Sequence, residues 1–126
     1  MPSEKLIQIN IINLCHQHPI LSEDVCHIAN GGKRSKREAR TLKLMGVKKG
    51  VSDLFLSYPN ATYHGMWQEV KTDTGHLTKE QENFLCRKRT QGYACEVVRC
   101  EKESLDIFLS YLNNEYKPIA ILNYKL

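Results

Sequence analysis

This 126-residue sequence has no C-x-x-C pair, no basic-then-apolar leader, no internal repeat, no low-complexity segment and no interdomain linker. Each absence removes a class. Its five cysteines, Cys15, Cys26, Cys86, Cys95 and Cys100, form an odd set without the paired spacing of a disulfide framework or a redox motif. Together with the missing leader, this leads us to expect a reducing, cytoplasmic setting. Long apolar runs are missing too. The longest, Leu6 to Leu14, is broken by Gln8, Asn10 and Asn13 and falls far short of the ~20 residues that span a bilayer, so no membrane partner is expected. What remains, 41% hydrophobic and 25% charged, suits one globular domain with its own core.

The charge is unevenly placed. Lys33, Arg34, Lys36, Arg37, Arg40, Lys43, Lys48 and Lys49 face a single acid, Glu38, within seventeen positions, a net +7 that leaves −3 for the rest of a chain whose total is +4. That concentration is the footprint of a phosphate-backbone binder, although a solvated basic helix face has the same composition.

Ser3 and Glu4 open a helix through the isoleucine-rich stretch to Leu14, ending before Pro19, with a strand as the alternative for its β-branched content. Residues 25–29 read as a short strand, followed by the Asn30-Gly31-Gly32 turn signal. Ser35-Lys36-Arg37-Glu38 has capping-box spacing ahead of a helix stopping at Gly46. Strand-like runs then cover Val51 to Ser57 and His64 to Thr72, joined near Pro59-Asn60. A helix from Thr78 to about Arg89, a buried strand from Tyr93 to Cys100 and a helix from Glu103 to Asn114 complete an expected domain of residues 1–114. Residues 115–126 form an extension whose Ile119-Ala120-Ile121-Leu122 segment is a candidate homodimer interface.

The chemistry concentrates in Gly50-Val51-Ser52-Asp53 and Glu69-Val70-Lys71. Glu69 and Lys71, two apart on one strand, leave the same face. If the hairpin pairs residues whose numbers sum to 122, Asp53 lies opposite Glu69 and Phe55 opposite Trp67. Opposed Cβ atoms sit about 4.5 to 5.5 Å apart, close enough for two carboxylates to hold one divalent cation. Unneutralised, the carboxylates repel and one retains its proton; Mg²⁺ or Mn²⁺ resolves the conflict with oxygen ligands. The plainer alternative is an exposed, salt-bridged trio, because D…E-x-K is a short pattern.

A longer series is more specific. Ile28-Ala29-Asn30-Gly31-Gly32-Lys33-Arg34-Ser35, Leu42-Lys43-Leu44-Met45-Gly46-Val47, Gly50-Val51-Ser52-Asp53-Leu54, His64-Gly65-Met66-Trp67-Gln68-Glu69-Val70-Lys71 and Leu77-Thr78-x-x-Gln81 occur in order. From about Glu4 to Leu112 the chain resembles the VRR-NUC (virus-type replication-repair nuclease) branch of the PD-(D/E)XK superfamily. The resemblance implies an α/β, restriction-endonuclease-like αβββαβ core with a mixed central sheet flanked by helices. It also implies metal-dependent phosphodiester hydrolysis, with Asp53, Glu69 and the Val70 carbonyl as metal ligands and Lys71 as the catalytic lysine.

Glu4 and Gln8 match the family's E-x-x-x-Q pattern, which adds Glu4 as a further catalytic and metal-site residue; a helix-dipole role explains Glu4 equally simply. Glu38 is the rival acid. Gln81 matches a glutamine beside the family's active site, and also completes a T-x-x-Q capping box with Thr78. One departure is Ser52, where the family usually has proline before the aspartate; it is expected to loosen the start of the strand without removing a ligand.

Asn30, Gly31, Gly32, Lys33, Arg34, Lys36, Arg37, Arg40, Lys48 and Lys49 are then the expected DNA-binding residues, reading backbone shape rather than sequence. The reading is a Mg²⁺- or Mn²⁺-dependent DNA endonuclease acting on branched, flap or junction DNA in replication or repair, as a homodimer. The alternative is a non-catalytic DNA-binding accessory domain with the same fold. A third reading, a zinc-stabilised RNA-binding module, rests on Cys15, His16, His18, Cys26 and His27, whose spacing matches no common zinc module.

Overall fold

The computed structural model describes residues 1–29 and 34–123, so the expected phosphate contacts at Asn30, Gly31, Gly32 and Lys33 lie outside the described residues. The elements run α1 (Glu4–Cys15), α2 (Pro19–Asp24), β1 (Val25–His27), α3 (Lys36–Leu44), β2 (Leu54–Leu56), β3 (Met66–Val70), α4 (Lys79–Thr90), β4 (Ala94–Val98) and α5 (Glu101–Leu112). The strands form one sheet in the order β1-β2-β3-β4, antiparallel at the first two junctions and parallel at the third. A crossover through α4 makes the parallel pair, as a parallel connection requires.

The first segment is helical despite its isoleucines because Ile7, Ile11 and Cys15 recur every four residues and bury one face against α5. Ser3 caps it, its hydroxyl accepting from Leu6 N at 3.1 Å. The apolar face is narrower than the composition implies, since Leu6 and Ile9 are exposed. The short helix α2 is an addition to the expected order. Pro19 does not merely end α1; it starts α2 at N1, where it needs no amide donor, and His18 Nδ1 caps the new turn by accepting from Ile20 N at 3.1 Å.

The hairpin register is the expected one: Leu54 pairs with Gln68, Phe55 with Trp67 and Leu56 with Met66. The pleat separates two faces of β3. Gln68 joins α5, where Ser104 Oγ donates to Gln68 Oε1 and Gln68 Nε2 donates to the Ser104 carbonyl at 3.3 Å. Trp67, on the other face, stacks on Phe55 with centroids 4.3 Å apart and meets Phe84 of α4 edge-on at 4.9 Å. Helices therefore cover both faces of a mixed sheet. The core comprises Ile7, Ile11, Leu21, Leu54, Leu56, Met66, Val70, Val98, Phe108 and Tyr111 among others, each buried aliphatic or aromatic side chain contributing about 1.5 to 3 kcal/mol.

Several boundaries differ from expectation. β2 is Leu54–Leu56 rather than Val51 to Ser57, which places Asp53 just ahead of the strand. α5 begins at Glu101, two residues early; its N-cap Cys100 makes no side-chain cap bond, and Glu103 Oε1 reaches back to accept from Arg99 N at 2.8 Å, just ahead of the helix.

The extension packs back on the domain. Glu96, buried in β4, accepts from Tyr116 OH, from Ile119 N at 2.9 Å and from Ala120 N at 2.9 Å, and Arg89 lies 3.5 Å away. Arg89 also donates to the Cys95 and Ala120 carbonyls at 2.9 and 2.8 Å, so arm and guanidinium together cover the open edge of the sheet. Among the described residues, no helix is long and apolar enough to cross a membrane.

Candidate metal centre and nucleic-acid surface

Asp53 is held from both ends. Its carbonyl accepts from Ile28 N at 2.9 Å and lies 2.7 Å from His27 Nδ1, which ties it to β1. Its side-chain Oδ2 accepts from Val70 N at 2.8 Å, which ties it to β3. The side chain thus lies across the hairpin beside Glu69, as the register implies.

Glu69 is only 2% exposed, and its Oε1 has no hydrogen-bond partner among the described residues. Burial pushes its pKa up to about 9, reinforced by a side-chain hydrogen bond with Asp53 and by the Asp53 charge; Lys71 opposes the shift and Glu4 adds a smaller push. A buried carboxyl beside another carboxylate retains its proton unless a cation neutralises the pair.

Lys71 is also buried, 7% exposed, and its amide donates to the Val98 carbonyl at 2.9 Å. Neither Glu69 nor Lys71 takes part in a salt bridge among the described residues. The exposed, salt-bridged trio does not describe this arrangement. The turn beyond Lys71 is clamped by Arg99, whose Nη1 donates to the Thr72 carbonyl at 2.6 Å and the Gly75 carbonyl at 2.8 Å. Nothing in the local sequence marks Arg99 for this task; it becomes visible only when β4 lies beside β3.

The remaining expected site residues divide. Glu4, in the first turn of α1, is among the groups acting electrostatically on Glu69, whereas Glu38 is not; Glu38 is an exposed residue of α3 whose amide is capped by Ser35. Gln81 completes the capping box with Thr78: Gln81 Oε1 accepts from Thr78 N at 2.9 Å and Gln81 N donates to Thr78 Oγ1 at 3.2 Å. Its amide nitrogen remains the end that can address another group. Ser52 is fully buried with Oγ unpartnered among the described residues, so it is packed in rather than loosely placed.

Fit to a cation rests on the donor set. Asp53 and Glu69 offer hard carboxylate oxygens, joined by the Val70 carbonyl in the expected set, and the orphaned Glu69 Oε1 is the kind of atom a cation would satisfy. Among the described residues no group of three or more His, Cys, Asp or Glu converges. The five Cys and His residues of the zinc reading are dispersed: Cys15 is buried in the core with its thiol pushed up to about 11 by desolvation, Cys26 is exposed, and His18 caps α2.

The basic residues Arg34, Lys36, Arg37, Arg40, Lys48 and Lys49 are all exposed, and α3 has no buried residue. The following loop is anchored at Gly50, whose φ of +81° favours glycine and where a Cβ would meet the Glu80 carbonyl at 2.5 Å. That contact seats residues 48–52 on the first turn of α4 and leads the chain directly into Asp53.

A mixed sheet with an antiparallel meander, a parallel fourth strand and helices on both faces, carrying D…E-x-K across the meander, is a nuclease-type fold. The VRR-NUC domain model matches residues 3–102, and the chain belongs to that family, within the PD-(D/E)XK superfamily. The fold is similar to that of a solved VRR_NUC domain protein, with a TM-score of 0.78 at 22% identity over 90% of each chain. No curated protein matches the chain.

Proposed function

We propose that this protein is a Mg²⁺- or Mn²⁺-dependent DNA endonuclease that hydrolyses phosphodiester bonds in branched, flap or junction DNA during replication or repair. The observation that carries the reading is the Asp53–Glu69 pair: two carboxyls forced together, one raised to about 9, with a buried oxygen left unpartnered next to a buried lysine. Structural carboxylates of a stable fold are normally paired. Perturbed ones that converge mark sites of chemistry.

Asp53, Glu69 and the Val70 carbonyl would hold the cation, with Glu4 contributing from α1. When bound, such an ion polarises a phosphodiester oxygen and lowers the pKa of an attacking water. Glu69 would give up its proton to solvent to serve as a ligand. Lys71, kept from solvent, places a positive charge where negative charge grows in the transition state, and the low local dielectric strengthens that interaction. Gln81 uses its free amide nitrogen to orient a group at the start of α4. Arg34, Lys36, Arg37, Arg40, Lys48 and Lys49 hold the DNA backbone. Two copies supply one active site for each strand, with Ile119 and Ile121, both strongly exposed on the arm, as the apolar contact.

The test is cleavage of labelled linear, flap and four-way DNA with Mg²⁺, Mn²⁺ or EDTA. Metal-dependent cleavage that Asp53→Ala and Lys71→Ala abolish is expected. Binding without cleavage by the unmutated protein, under any metal, refutes the nuclease reading in favour of a DNA-binding accessory domain.

A further inference from the structure

The C-terminal half of α4 carries three consecutive cations, Arg87, Lys88 and Arg89. Cations there complement the helix dipole, which alone explains their type but not their placement. Arg89 turns inward to the β4 edge, donating to the Cys95 and Ala120 carbonyls. Lys88 lies over the rings of Phe84 and Tyr93, 5.5 and 5.7 Å from their centroids, with its ammonium 3.0 Å from Gln91 Oε1. Arg87 is exposed, and its side chain has no partner among the described residues.

Opposite these side chains runs the Lys48–Val51 loop, fixed on α4 by the Gly50–Glu80 contact. Between loop and helix lies a groove of about 480 Å³ lined by Lys48, Lys49, Arg87 and Lys88, with Phe84 in its wall and Glu80 as its one acid. Four cations and one carboxylate line the groove, an excess of positive charge that attracts a polyanion. Lys49 precedes Asp53 by four residues, so their Cα atoms are at most ~14 Å apart at the reach of an extended chain. That distance is about four phosphates of rise along one DNA strand.

We infer that this groove binds the sugar–phosphate backbone of the DNA strand flanking the bond to be cut, and that Arg87 and Lys88 of α4 form a second phosphate-holding wall facing the α3 side. The strand would run from the Asp53–Glu69 centre past the start of α4 and into the groove. The substrate assignment rests on the nuclease reading, but the groove is tested by binding alone.

The experiment is fluorescence anisotropy with labelled four-way DNA in EDTA, titrated from about 50 to about 200 mM salt. Met substitutions at both positions, R87M/K88M, keep the apolar stems that cover Phe84 and Tyr93 while removing both charges. The magnitude of the log K against log salt slope is expected to fall by about 1.8 in this variant, ~0.9 for each phosphate no longer neutralised, with weaker binding throughout. R87K/K88R should restore both quantities. Lys102→Ala removes one exposed cation from α5 and should change neither, which separates the groove from net charge. An R87M/K88M variant with the wild-type slope and affinity overturns the inference, as does a wild-type protein that binds no DNA. Wild-type protein that binds with the α4-dependent slope yet cuts none of linear, flap and four-way DNA with either Mg²⁺ or Mn²⁺ refutes the nuclease reading and supports the groove.

Discussion

The Asp53–Glu69 pair predicts an unusual pH dependence of stability. In the unfolded chain Glu69 titrates near its ordinary 4.5; in the folded protein burial and Asp53 raise it to about 9. Between those values the native state holds a proton that the unfolded state has released, so without metal stability falls as pH rises and levels off above about 9. One proton corresponds to ~1.36 kcal/mol per pH unit, hence about 3 kcal/mol between pH 6 and pH 8. For a domain of this size that is a drop in Tm of about 10 °C.

Glu69→Gln keeps the shape and stays neutral. In EDTA, the wild type should lose that stability from pH 6 to pH 8 relative to Glu69→Gln, whose other titrating groups are the same. Mg²⁺ should restore the wild type more at pH 8, where the proton competes less strongly for the carboxylate, than at pH 6; Glu69→Gln should gain less at either pH. Thermal unfolding of both proteins with and without metal checks this. Parallel pH profiles for the two, or a wild type that gains stability relative to the variant as pH rises, would refute the argument.

Arg99→Ala removes a charged donor from the Thr72 and Gly75 carbonyls and should cost about 2 kcal/mol in urea unfolding, with a loss of cleavage rate that Arg99→Lys only partly recovers. Ser52→Ala removes a buried hydroxyl without a partner among the described residues and should raise stability by about 1 kcal/mol; a lower Tm would show that the hydroxyl is satisfied. Gly50→Ala forces a side chain against the Glu80 carbonyl at a positive φ and should destabilise by more than ~1 kcal/mol while weakening DNA binding through the displaced loop. Glu96→Ala strands Tyr116 OH and two arm amides, so it should cost about 3 kcal/mol and make residues 115–123 sensitive to limited proteolysis; an arm that stays protected contradicts the anchoring role.

The hairpin was legible because local rules determine it. Asn60 Oδ1 accepts from Thr62 N and Tyr63 N at 2.9 and 2.7 Å, an Asx turn that the sequence signals, and alternation on either side then leaves one register that buries Leu54, Leu56 and Met66 together. Pro19 was misleading for the opposite reason: proline ends one helix and starts another by the same lack of an amide proton, and only the chain's later course distinguishes the two. Burial of Glu69 and Lys71 could not be read from a pattern that an exposed strand would share. It depends on β4, which arrives from more than twenty residues further along to pair with β3. Arg99 and the Arg87–Lys88 wall belong to the same class, being functional candidates through neighbours that sequence spacing does not bring together.

Glu69 and Glu96 show how burial alone separates structure from chemistry too coarsely. Both are glutamates on adjacent parallel strands, at 2% and 1% exposure, and a rule that buried acids mark active sites would select both. Their oxygens differ. Glu96 Oε1 and Oε2 are met by two arm amides, a tyrosine hydroxyl and Arg89, so its charge is matched where it stands and folding alone explains it. Glu69 has one oxygen without a partner and a neighbouring carboxyl instead of a donor, an arrangement that folding alone disfavours. An unpaired hydroxyl such as that of Ser52 costs little and can simply be lost, but a carboxyl pressed against a second carboxyl carries a heavier penalty. It is that pairing which the proposed cation would relieve at Glu69 and which Glu96 does not face.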